Sequence, residues 1–216
     1  MNDMQTRVVQ RFDNWAGEYD TAMRKAQYFA PDWIRKNFFD IGSQSECRVL
    51  DLGCGTGLNV RTLFEVRDDF RAVGVDVSPK MIEYANAARI YERLYIHDLN
   101  LPLQQMSSDS FDLVIAFGFF EMLKNAATCV SECSRLLKKH GTFWGSFRLF
   151  EEEGSLSPPR HMLIDGIDVV GHSSDQILQM MDNSHFRITA LDTVVGYVTV
   201  AGFPCPFYVV NAEKMS

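Results

Sequence analysis

Short apolar segments alternate with segments of helical periodicity through residues 47–147. The apolar segments carry few polar positions, as expected of strands covered on both faces, whereas the others place apolar residues at three- and four-residue steps. The pattern predicts strand 47–52, helix 58–66, strand 72–77, helix 79–89, strand 94–97, strand 111–117, helix 126–139 and strand 142–147. Such alternation favours an α/β protein with a doubly wound, mostly parallel sheet.

The N-terminal segment departs from this alternation. Aromatic and small apolar residues recur at helical spacing and predict one amphipathic helix: Phe12, Trp15, Ala16, Tyr19, Ala22 and Met23. Pro31 suits the first turn of a second helix, which carries Trp33, Ile34, Phe38 and Phe39. The aromatic face of the first helix needs a partner elsewhere in the fold.

The C-terminal third also changes character. Residues 149–172 predict a long irregular stretch, a kind of segment that is often functional. Ser174 is expected to cap a helix at 174–184, and strands 186–195 and 206–212 are expected to pair as an antiparallel hairpin. With these two strands the predicted sheet has seven.

The length favours one domain with three parts. At 216 residues the chain can bury one α/β core. Residues 1–40 would form a helical lid, residues 46–148 a cofactor-binding core, and residues 149–216 a substrate-side loop, helix and β-hairpin. The pattern says nothing about the oligomeric state.

Composition and charge narrow the partners. Hydrophobic residues make up 46% of the chain and charged residues 23%, which is ordinary for a globular protein. The formal net charge is −7, and from residue 151 onward nine acids stand against three bases. No basic stripe is visible, so a nucleic-acid partner is not expected. The longest uncharged apolar run, 113–120, is too short to span a bilayer, and we expect a cytoplasmic protein without a membrane partner.

The cysteines indicate reduced thiols in the core. There are five, an odd number, and no two are separated by two residues. Cys129 and Cys133 are four apart on a predicted helix, but no nearby pair of histidines completes a metal site. We expect no metal.

The first predicted strand runs directly into three glycines at alternate positions, Gly53, Gly55 and Gly57. Glycine lets the chain turn with positive φ and lets a ligand approach the main chain closely. A dinucleotide fingerprint would need glycine at Leu58, and a phosphate-binding loop would need a lysine after Gly57. Both NAD and ATP phosphates are therefore disfavoured.

Three consecutive strands end near an acid: Asp51, Asp76 and Asp98. In a doubly wound sheet, ligands bind in the crevice beyond the carboxyl ends of the strands. Asp76 follows the glycines by one strand and one helix, where a carboxylate can accept hydrogen bonds from both hydroxyls of a ribose. The pattern therefore points to a nucleoside-containing cofactor.

These segments resemble the class I S-adenosylmethionine-dependent methyltransferases, and the resemblance covers most of residues 12–147. The segments are DLGCGTG at 51–57, VDVSPKMIEYA at 75–85, HDL at 97–99, SFDLVIAFGFFEML at 110–123, LLKKHGTF at 136–143 and FDNWAGEYD at 12–20. The last is similar to the opening of many members that act on small molecules. More narrowly, residues 90–99 and 169–177 resemble a branch related to the Williams–Beuren-region methyltransferase. The resemblance implies a Rossmann-like methyltransferase fold and S-adenosylmethionine as cofactor, with S-adenosylhomocysteine as product.

The resemblance also implies roles for individual residues. Gly53, Gly55 and Gly57 would face the methionine part, Asp76 the ribose hydroxyls, Met81 the adenine ring, Asp98 its exocyclic amine, Leu99 its ring nitrogen through the main chain, and Phe117 the methionine amino group. Trp15 and Tyr19 would close the cleft, and Asp51, Cys54 and Val77 complete the predicted cofactor set. Core packing explains Trp15 and Tyr19 equally simply, whereas for Met81 its position five residues after Asp76 favours the cofactor wall over core packing. Asp51 fits a structural role, in which it holds the glycine turn by hydrogen bonds, better than a direct contact.

The methyl acceptor and a catalytic base stay open. Positioning the acceptor in line can supply much of the acceleration, and a base is needed only if the acceptor must lose a proton. Glu121, His161 and His172 are the candidates for that base, although Glu121 stands where many relatives carry histidine. Arg148 and Arg160 suit either an anion clamp or a solvated surface.

A small-molecule acceptor is the preferred reading. After the fourth strand stands Ala116-Phe117-Gly118-Phe119, whereas relatives that methylate nucleobase or glutamine amines carry Asn/Asp-Pro-Pro-Tyr. A protein or nucleic-acid acceptor, and a non-catalytic module that only binds S-adenosylmethionine, remain as alternatives.

Overall fold

The computed structural model of the protein describes residues 3–38, 46–149, 160–164 and 166–215. The strands are β1 (Cys47–Leu52), β2 (Phe70–Asp76), β3 (Tyr91–Ile96), β4 (Phe111–Ala116), β5 (Leu137–Arg148), β6 (Arg160–Ile164), β7 (Ile167–Gly171), β8 (Phe186–Val198) and β9 (Pro204–Lys214). The helices are α1 (Asp3–Trp15), α2 (Tyr19–Lys25), α3 (Ala30–Asn37), α4 (Leu58–Val66), α5 (Pro79–Ala87), α6 (Ala126–Leu136) and α7 (Ser174–Asn183). A 3-10 turn, Phe120–Met122, follows β4.

Seven of the strands form one sheet in the order β3-β2-β1-β4-β5-β9-β8. The five strands from β3 to β5 are parallel, and β9 and β8 continue the sheet as an antiparallel hairpin. The chain order reverses between β1 and β4, which creates a crevice beyond their carboxyl ends. The predicted fold class, a mostly parallel doubly wound sheet of seven strands with a C-terminal hairpin, is confirmed.

Side chains of alternate residues in the central strands are buried on opposite faces of the sheet. Leu50, Val114 and Phe143 pack with α6 and α7 in one cluster. Val49 and Ile115 pack with α3 and α4 in the other. Helices therefore cover both faces, which explains why these strands are almost wholly apolar.

The predicted N-terminal helix is wrong in one respect, because the structure breaks it into two. α1 ends at Trp15, a turn covers residues 16–18, and α2 begins at Tyr19. A Cβ on Gly17 would lie 3.0 Å from the Tyr84 hydroxyl of α5, so the turn needs a glycine where the chain passes that side chain. Phe39, assigned to the second predicted helix, lies outside the described residues.

The predicted end of the helix at 126–139 is also wrong. α6 ends at Leu136, and Gly141 lies within β5 rather than after a helix. The main-chain N–H groups of Asp109 and Ser110 donate to the carbonyls of Arg135 and Leu136, at 3.0 and 2.8 Å. This tertiary capping satisfies carbonyls that another helical turn would otherwise use.

Part of the predicted irregular stretch is a hairpin. β6 and β7 pair antiparallel from Arg160 with Gly171 to Ile164 with Ile167, and residues 150–159 lie outside the described part. The cap of the next helix is Ser173 rather than Ser174. Its hydroxyl accepts from the Gln176 N–H at 3.3 Å, and the Gln176 side chain accepts from the Ser173 N–H at 3.0 Å, which forms a capping box.

Two observations concern membranes and metals. Among the described residues, no helix combines the length and the apolar character needed to cross a membrane. Within those same ranges, no group of three His, Cys, Asp or Glu side chains is placed to hold a metal ion. All five cysteines are buried with free thiols.

Candidate functional site

A cavity lies beyond the carboxyl ends of the central strands, and α1 and α2 contribute its outer wall. It holds about 780 Å³ of empty space counted out to its open mouth. Its lining residues are Gln5, Val8, Phe12, Tyr19, Gly53, Gly55, Asp76, Val77, Met81, Asp98, Leu99, Asn100, Phe117, Gly118, Phe119, Met122 and Leu123. Nine of the thirteen residues predicted to bind the cofactor stand on this wall.

The loop between β1 and α4 supplies main chain to the cavity. Gly53 and Gly55 both have positive φ, 64° and 53°. A Cβ on Gly53 would lie 2.7 Å from the Phe119 ring, so this glycine allows that ring to pack. A Cβ on Gly55 would meet only the side chains of Tyr19 and Met81, at 3.9 and 4.0 Å. Gly55 therefore keeps open a space that protein atoms do not fill.

Asp76 is buried at the end of β2 and holds the glycine loop in place. One carboxylate oxygen accepts from the Gly55 N–H at 2.8 Å and the other from the Ser78 N–H at 2.8 Å. Burial raises the pKa of Asp76, and these hydrogen bonds oppose that shift. The carboxylate also lines the cavity, where its remaining lone pairs can accept from neighbouring hydroxyls.

Asp98, just beyond β3, marks the other end of the cavity. One oxygen accepts from the main-chain and side-chain N–H groups of Asn100, at 3.0 and 2.8 Å. The other accepts from the side-chain amide of Gln5, which ties α1 to this end. Met81, at the start of α5, is fully buried and also lines the cavity. Val77 and Leu99, which directly follow Asp76 and Asp98 in the sequence, are part of the same lining.

Tyr19 stands on the cavity wall with several carboxyls near it. Burial and the carboxylates of Asp76 and Asp20 raise the pKa of Tyr19 well above its usual range, so its hydroxyl stays neutral. Glu121 and Asp51 act on Tyr19 in the same direction. Where these carboxyls are ionised, they make this region favourable for a cation.

Four predicted residues lie outside the cavity wall. Trp15 packs edge-on against Tyr19, with ring centroids 5.0 Å apart. Cys54 is buried, and its N–H donates to the Val75 carbonyl at 3.0 Å. Gly57 has a φ of 86°, and a Cβ there would lie 3.0 Å from the Tyr91 ring. Gly57 therefore serves the packing of β3 at the start of α4.

Asp51 is the fourth of these residues and is fully buried. One oxygen accepts from the Tyr91 hydroxyl at 2.7 Å, and the other has no hydrogen-bond partner among the described residues. Burial raises the pKa of Asp51 to about 7, although the Tyr91 hydrogen bond opposes the shift. The side chain joins β1 to β3 beneath the glycine loop.

Glu121 lies in the 3-10 turn beside the cavity but not on its wall. Its neighbours Phe119, Met122 and Leu123 line the cavity, whereas its own carboxyl is buried. Its Oε2 has no partner within the described ranges. Burial raises the pKa of Glu121 to about 7 despite the attraction of Arg148. The carboxyl can therefore change protonation state near neutral pH.

The two candidate histidines line a second cavity instead. It holds about 730 Å³ counted to its mouth and shares Leu123 with the first. His161 is exposed, and its Nδ1 lies 2.8 Å from Asp168. His172 is buried, which lowers its pKa to about 4.

Arg148, a predicted anion clamp, is placed in the core. Its guanidinium donates to the Tyr197 hydroxyl at 2.6 Å and to the Cys205 sulfur at 3.5 Å, and it stacks over the Phe207 ring. Of the two roles left open for Arg148, its burial contradicts the solvated surface residue. The Arg160 side chain lies outside the described residues.

Eight wall residues were not predicted as site residues. They are Gln5, Val8, Phe12, Asn100, Gly118, Phe119, Met122 and Leu123. Val8 and Phe12 are four apart on α1, so extending the amphipathic helix towards the N-terminus would have found them. Asn100, Met122 and Leu123 are placed by tertiary packing, which no local pattern reports.

The chain is similar to known methyltransferases. A family of methyltransferase domains matches residues 50–145. The malonyl-[acyl-carrier protein] O-methyltransferase of Acetivibrio thermocellus is 29% identical over 130 residues, 60% of this chain and 45% of that protein. Human methyltransferase-like protein 27 is 32% identical over 111 residues, 50% of this chain and 44% of that protein. The chain thus spans about half the length of the curated relatives it matches.

Solved structures share the fold. The Burkholderia thailandensis 1,6-didemethyltoxoflavin-N1-methyltransferase, with bound 1,6-didemethyltoxoflavin and S-adenosylhomocysteine, superposes with a TM-score of 0.69. The superposition covers 100% of this chain and 92% of that one at 17% identity. At this identity the likeness concerns the fold.

Proposed function

Because the chain carries a methyltransferase domain of the class I, S-adenosylmethionine-dependent family over residues 50–145, we propose that it transfers a methyl group from S-adenosylmethionine to a small-molecule acceptor. One observation carries the proposal: Gly55 and Asp76 face the same cavity and are hydrogen-bonded to each other at 2.8 Å. A bare main chain beside a carboxylate suits the amino-acid and ribose parts of a nucleoside that bears an amino acid.

The residues of the first cavity fit this cofactor. A Cβ on Gly55 would enter the space between Tyr19 and Met81, so glycine at this position leaves room in the cradle. The carboxyls near Tyr19, where they are ionised, suit a positively charged sulfonium. Asp76 would accept from the ribose hydroxyls, Asp98 from the exocyclic amine of adenine, and Met81 would pack against its ring. The Leu99 main chain and Phe117 keep their predicted roles.

S-adenosylmethionine supplies an activated methyl group on a positive sulfur, so the protein's main task is to orient the acceptor. The 3-10 turn and Phe117 border the cavity beyond β4, where an acceptor would approach. Glu121 is the candidate base nearest to that border. Because burial brings the pKa of its carboxyl to about 7, Glu121 can take up a proton at neutral pH if the acceptor must lose one.

The three predicted parts would divide this work. α1, α2 and α3 would form a lid over the cofactor, the strands from β1 to β5 would bind it, and the segment from β6 to β9 would contact the acceptor. Gln5 and Tyr19 already reach the cavity from the lid helices. β7 packs against the 3-10 turn and α1, so the substrate-side hairpin lies beside both other parts.

A small acceptor fits the covered cavity and the charge of the chain. The helices α1 and α2 narrow the cavity from one side, which favours a small acceptor over a polymer, and the acidic excess after residue 151 opposes nucleic acid. Names of relatives point to different acceptors, among them malonyl-acyl-carrier protein, demethylmenaquinone and glycine. They do not select one for this chain.

Binding and turnover test the proposal separately. Titration calorimetry with S-adenosylmethionine and S-adenosylhomocysteine should show one site for each. A screen of small-molecule acceptors, with S-adenosylhomocysteine formation as the signal, should then reveal turnover. A chain that binds neither nucleoside contradicts the proposal. Binding without turnover on any acceptor favours a non-catalytic module.

A further inference from the structure

The second cavity is bounded by the start of α6, by α7 and by the β6–β7 hairpin. Its lining residues are Leu123, Lys124, Asn125, Ala126, Ala127, His161, Val170, His172, Gln176, Gln179, Met180 and Asn183. Leu123 belongs to both cavities, so a molecule in the second cavity lies directly behind the wall of the first. The roles proposed above for the cofactor leave this space unassigned.

His172 is the buried polar group of this cavity. Only 6% of the residue is exposed, and its ring packs edge-on against Phe147 with centroids 5.6 Å apart. Its Nδ1 is buried and has no hydrogen-bond partner among the described residues. An orphaned buried N–H is rarer in proteins than an unsatisfied acceptor, so Nδ1 carries the lone pair. The proton is then on Nε2, which makes the imidazole a donor towards the cavity.

The charges around the cavity also favour a ligand that accepts hydrogen bonds. No Asp or Glu stands among its described lining residues, although the chain as a whole has a net charge of −7. Lys124 is exposed at the rim, and its ammonium has no acidic partner in the ranges that the structure describes. The side-chain amides of Gln179 and Asn183 are exposed there too. The Lys124 ammonium can only donate, and the two amides can turn their NH2 groups inward, so the lining can serve a ligand group that only accepts hydrogen bonds.

We propose that the second cavity binds a carboxylate of the methyl acceptor, with the His172 Nε2–H and the Lys124 ammonium as donors. The acceptor would pass Leu123 and present its reacting atom to the first cavity. This inference rests on the proposed methyl transfer, because it assigns a substrate class to that activity. His172 is here a substrate-binding residue that stays neutral and donates.

Nitrogen-15 NMR of the histidine side chains tests the donor. Long-range spectra of the full chain should show His172 as a neutral ring protonated at Nε2. Benzoate is the probe, and benzyl alcohol is its neutral counterpart. Benzoate should shift the His172 Nε2 and Lys124 Nζ signals with a saturating dependence, whereas benzyl alcohol at the same concentration should leave both unchanged. A ring protonated at Nδ1, or equal responses to both probes, would overturn the proposal.

Variants separate the cavity from nonspecific anion binding. His172→Phe keeps a ring against Phe147 and should weaken benzoate binding about tenfold, the effect of one hydrogen bond to a charged group. His172→Gln, whose amide nitrogen can take the Nε2 position, should restore much of the affinity. His185→Asn alters an exposed histidine at a positive-φ position outside both cavities and should bind like the parent.

Failure of this inference differs from failure of the proposed function. If no benzoate binding is detected, or if His172→Phe binds benzoate as the parent does, the carboxylate site is wrong while cofactor binding by calorimetry still stands. If S-adenosylmethionine does not bind, the methyl-transfer proposal fails whatever benzoate does. Once a turning-over acceptor is known, His172→Phe should raise its KM more than it lowers kcat.

Discussion

At the scale of single residues, Gly55 tests the cofactor cradle. Its φ is 53°, a region that costs alanine about 1–2 kcal/mol. Gly202 has a φ of 84° at the β8–β9 turn, and a Cβ there would meet nothing within 4 Å. We expect Gly55→Ala and Gly202→Ala to lose similar stability in urea denaturation. Only Gly55→Ala should lose affinity for S-adenosylhomocysteine in calorimetry, because its methyl group projects into the cavity. Equal affinities in the two variants would place the amino-acid part of the cofactor elsewhere.

Asp76 tests the ribose assignment. Asp76→Asn keeps the size of the side chain but turns one acceptor oxygen into a donor. Hydrogen bonds to a charged group contribute about 1.5–3 kcal/mol, so affinity for S-adenosylhomocysteine should fall at least about tenfold. Adenosine, which carries the same ribose, should lose a similar factor. Since the Gly55 and Ser78 N–H groups also bind this carboxylate, a thermal melt must show that the variant is folded. Unchanged affinity for both nucleosides would refute the assignment.

Glu121 tests the use of a base. Its carboxyl loses a proton as the pH rises through about 7, so kcat/KM for an acceptor that must be deprotonated should rise over the same interval. Glu121→Gln should lower kcat about a hundredfold and remove that pH dependence, while affinity for S-adenosylmethionine stays the same. The pH profile and calorimetry on the same preparation check both points. An unaltered profile in the variant would exclude Glu121 as the base.

At the scale of elements, one side chain fixes the lid to the cofactor loop. Asp20 of α2 accepts from the Thr56 hydroxyl, next to Gly55, and from the Arg61 guanidinium of α4. Asp20→Ala should therefore speed amide hydrogen exchange in α2 and weaken cofactor binding, with little change in the sheet or in α1, which Gln5 and Asp13 hold through Asp98 and Ser78. Arg35→Ala, which removes the exposed bridge of α3 to Glu65 of α4, serves as the control and should leave exchange in α1 and α2 unchanged. Equal exchange in the two variants would contradict the anchoring role.

The elements show which patterns a sequence reports well. Strands β1 and β4 and helix α4 lie within one residue of their predicted limits, because an apolar run covered on both faces is recorded in the chain itself. The end of α6 depends on N–H groups of Asp109 and Ser110, which come from another segment. No local pattern carries that information. The β6–β7 hairpin did leave a signal, since Asp-Gly at 165–166 between two apolar runs favours a two-residue turn.

The site residues also divide into those that local motifs predict and those whose role depends on tertiary packing. Residues on the turns after strands, such as Gly55, Asp76 and Asp98, were named from the motifs and stand together on one wall. Gly57 and Asp51 belong to the same motif, yet they contact Tyr91 of β3 instead. A motif names the residues that the turn needs, and only the packing of β3 separates those that face a ligand from those that support the loop. The position of His172 in the second cavity follows from the position of β7, which ends at the residue before it, and no sequence motif reports that position.

At the scale of the whole molecule, an acidic chain keeps several carboxyls out of water. Asp51 and Glu121 are buried, and each has one oxygen without a partner among the described residues. Asp76 is also buried, close enough to Tyr19 to raise its pKa. Burying carboxyls disfavours their charged form, so the folded protein holds protons that the unfolded chain would release. A bound cation would favour the charged form of these carboxyls. Binding of a positively charged cofactor should therefore release protons from them.

The same burial predicts how stability depends on pH. The pKa values of Asp51 and Glu121 are raised from about 4 to about 7, so between these values the folded state binds more protons than the unfolded state. Each group therefore lowers the free energy of unfolding as the pH rises, by ~4 kcal/mol at most. Asp51→Asn combined with Glu121→Gln should gain stability over the parent as the pH rises from about 4 to about 7 in urea titrations. His172, whose pKa is lowered to about 4, acts with the opposite sign in both proteins and cancels in the difference. A difference that stays constant with pH would show that these carboxyls are ionised in the folded protein.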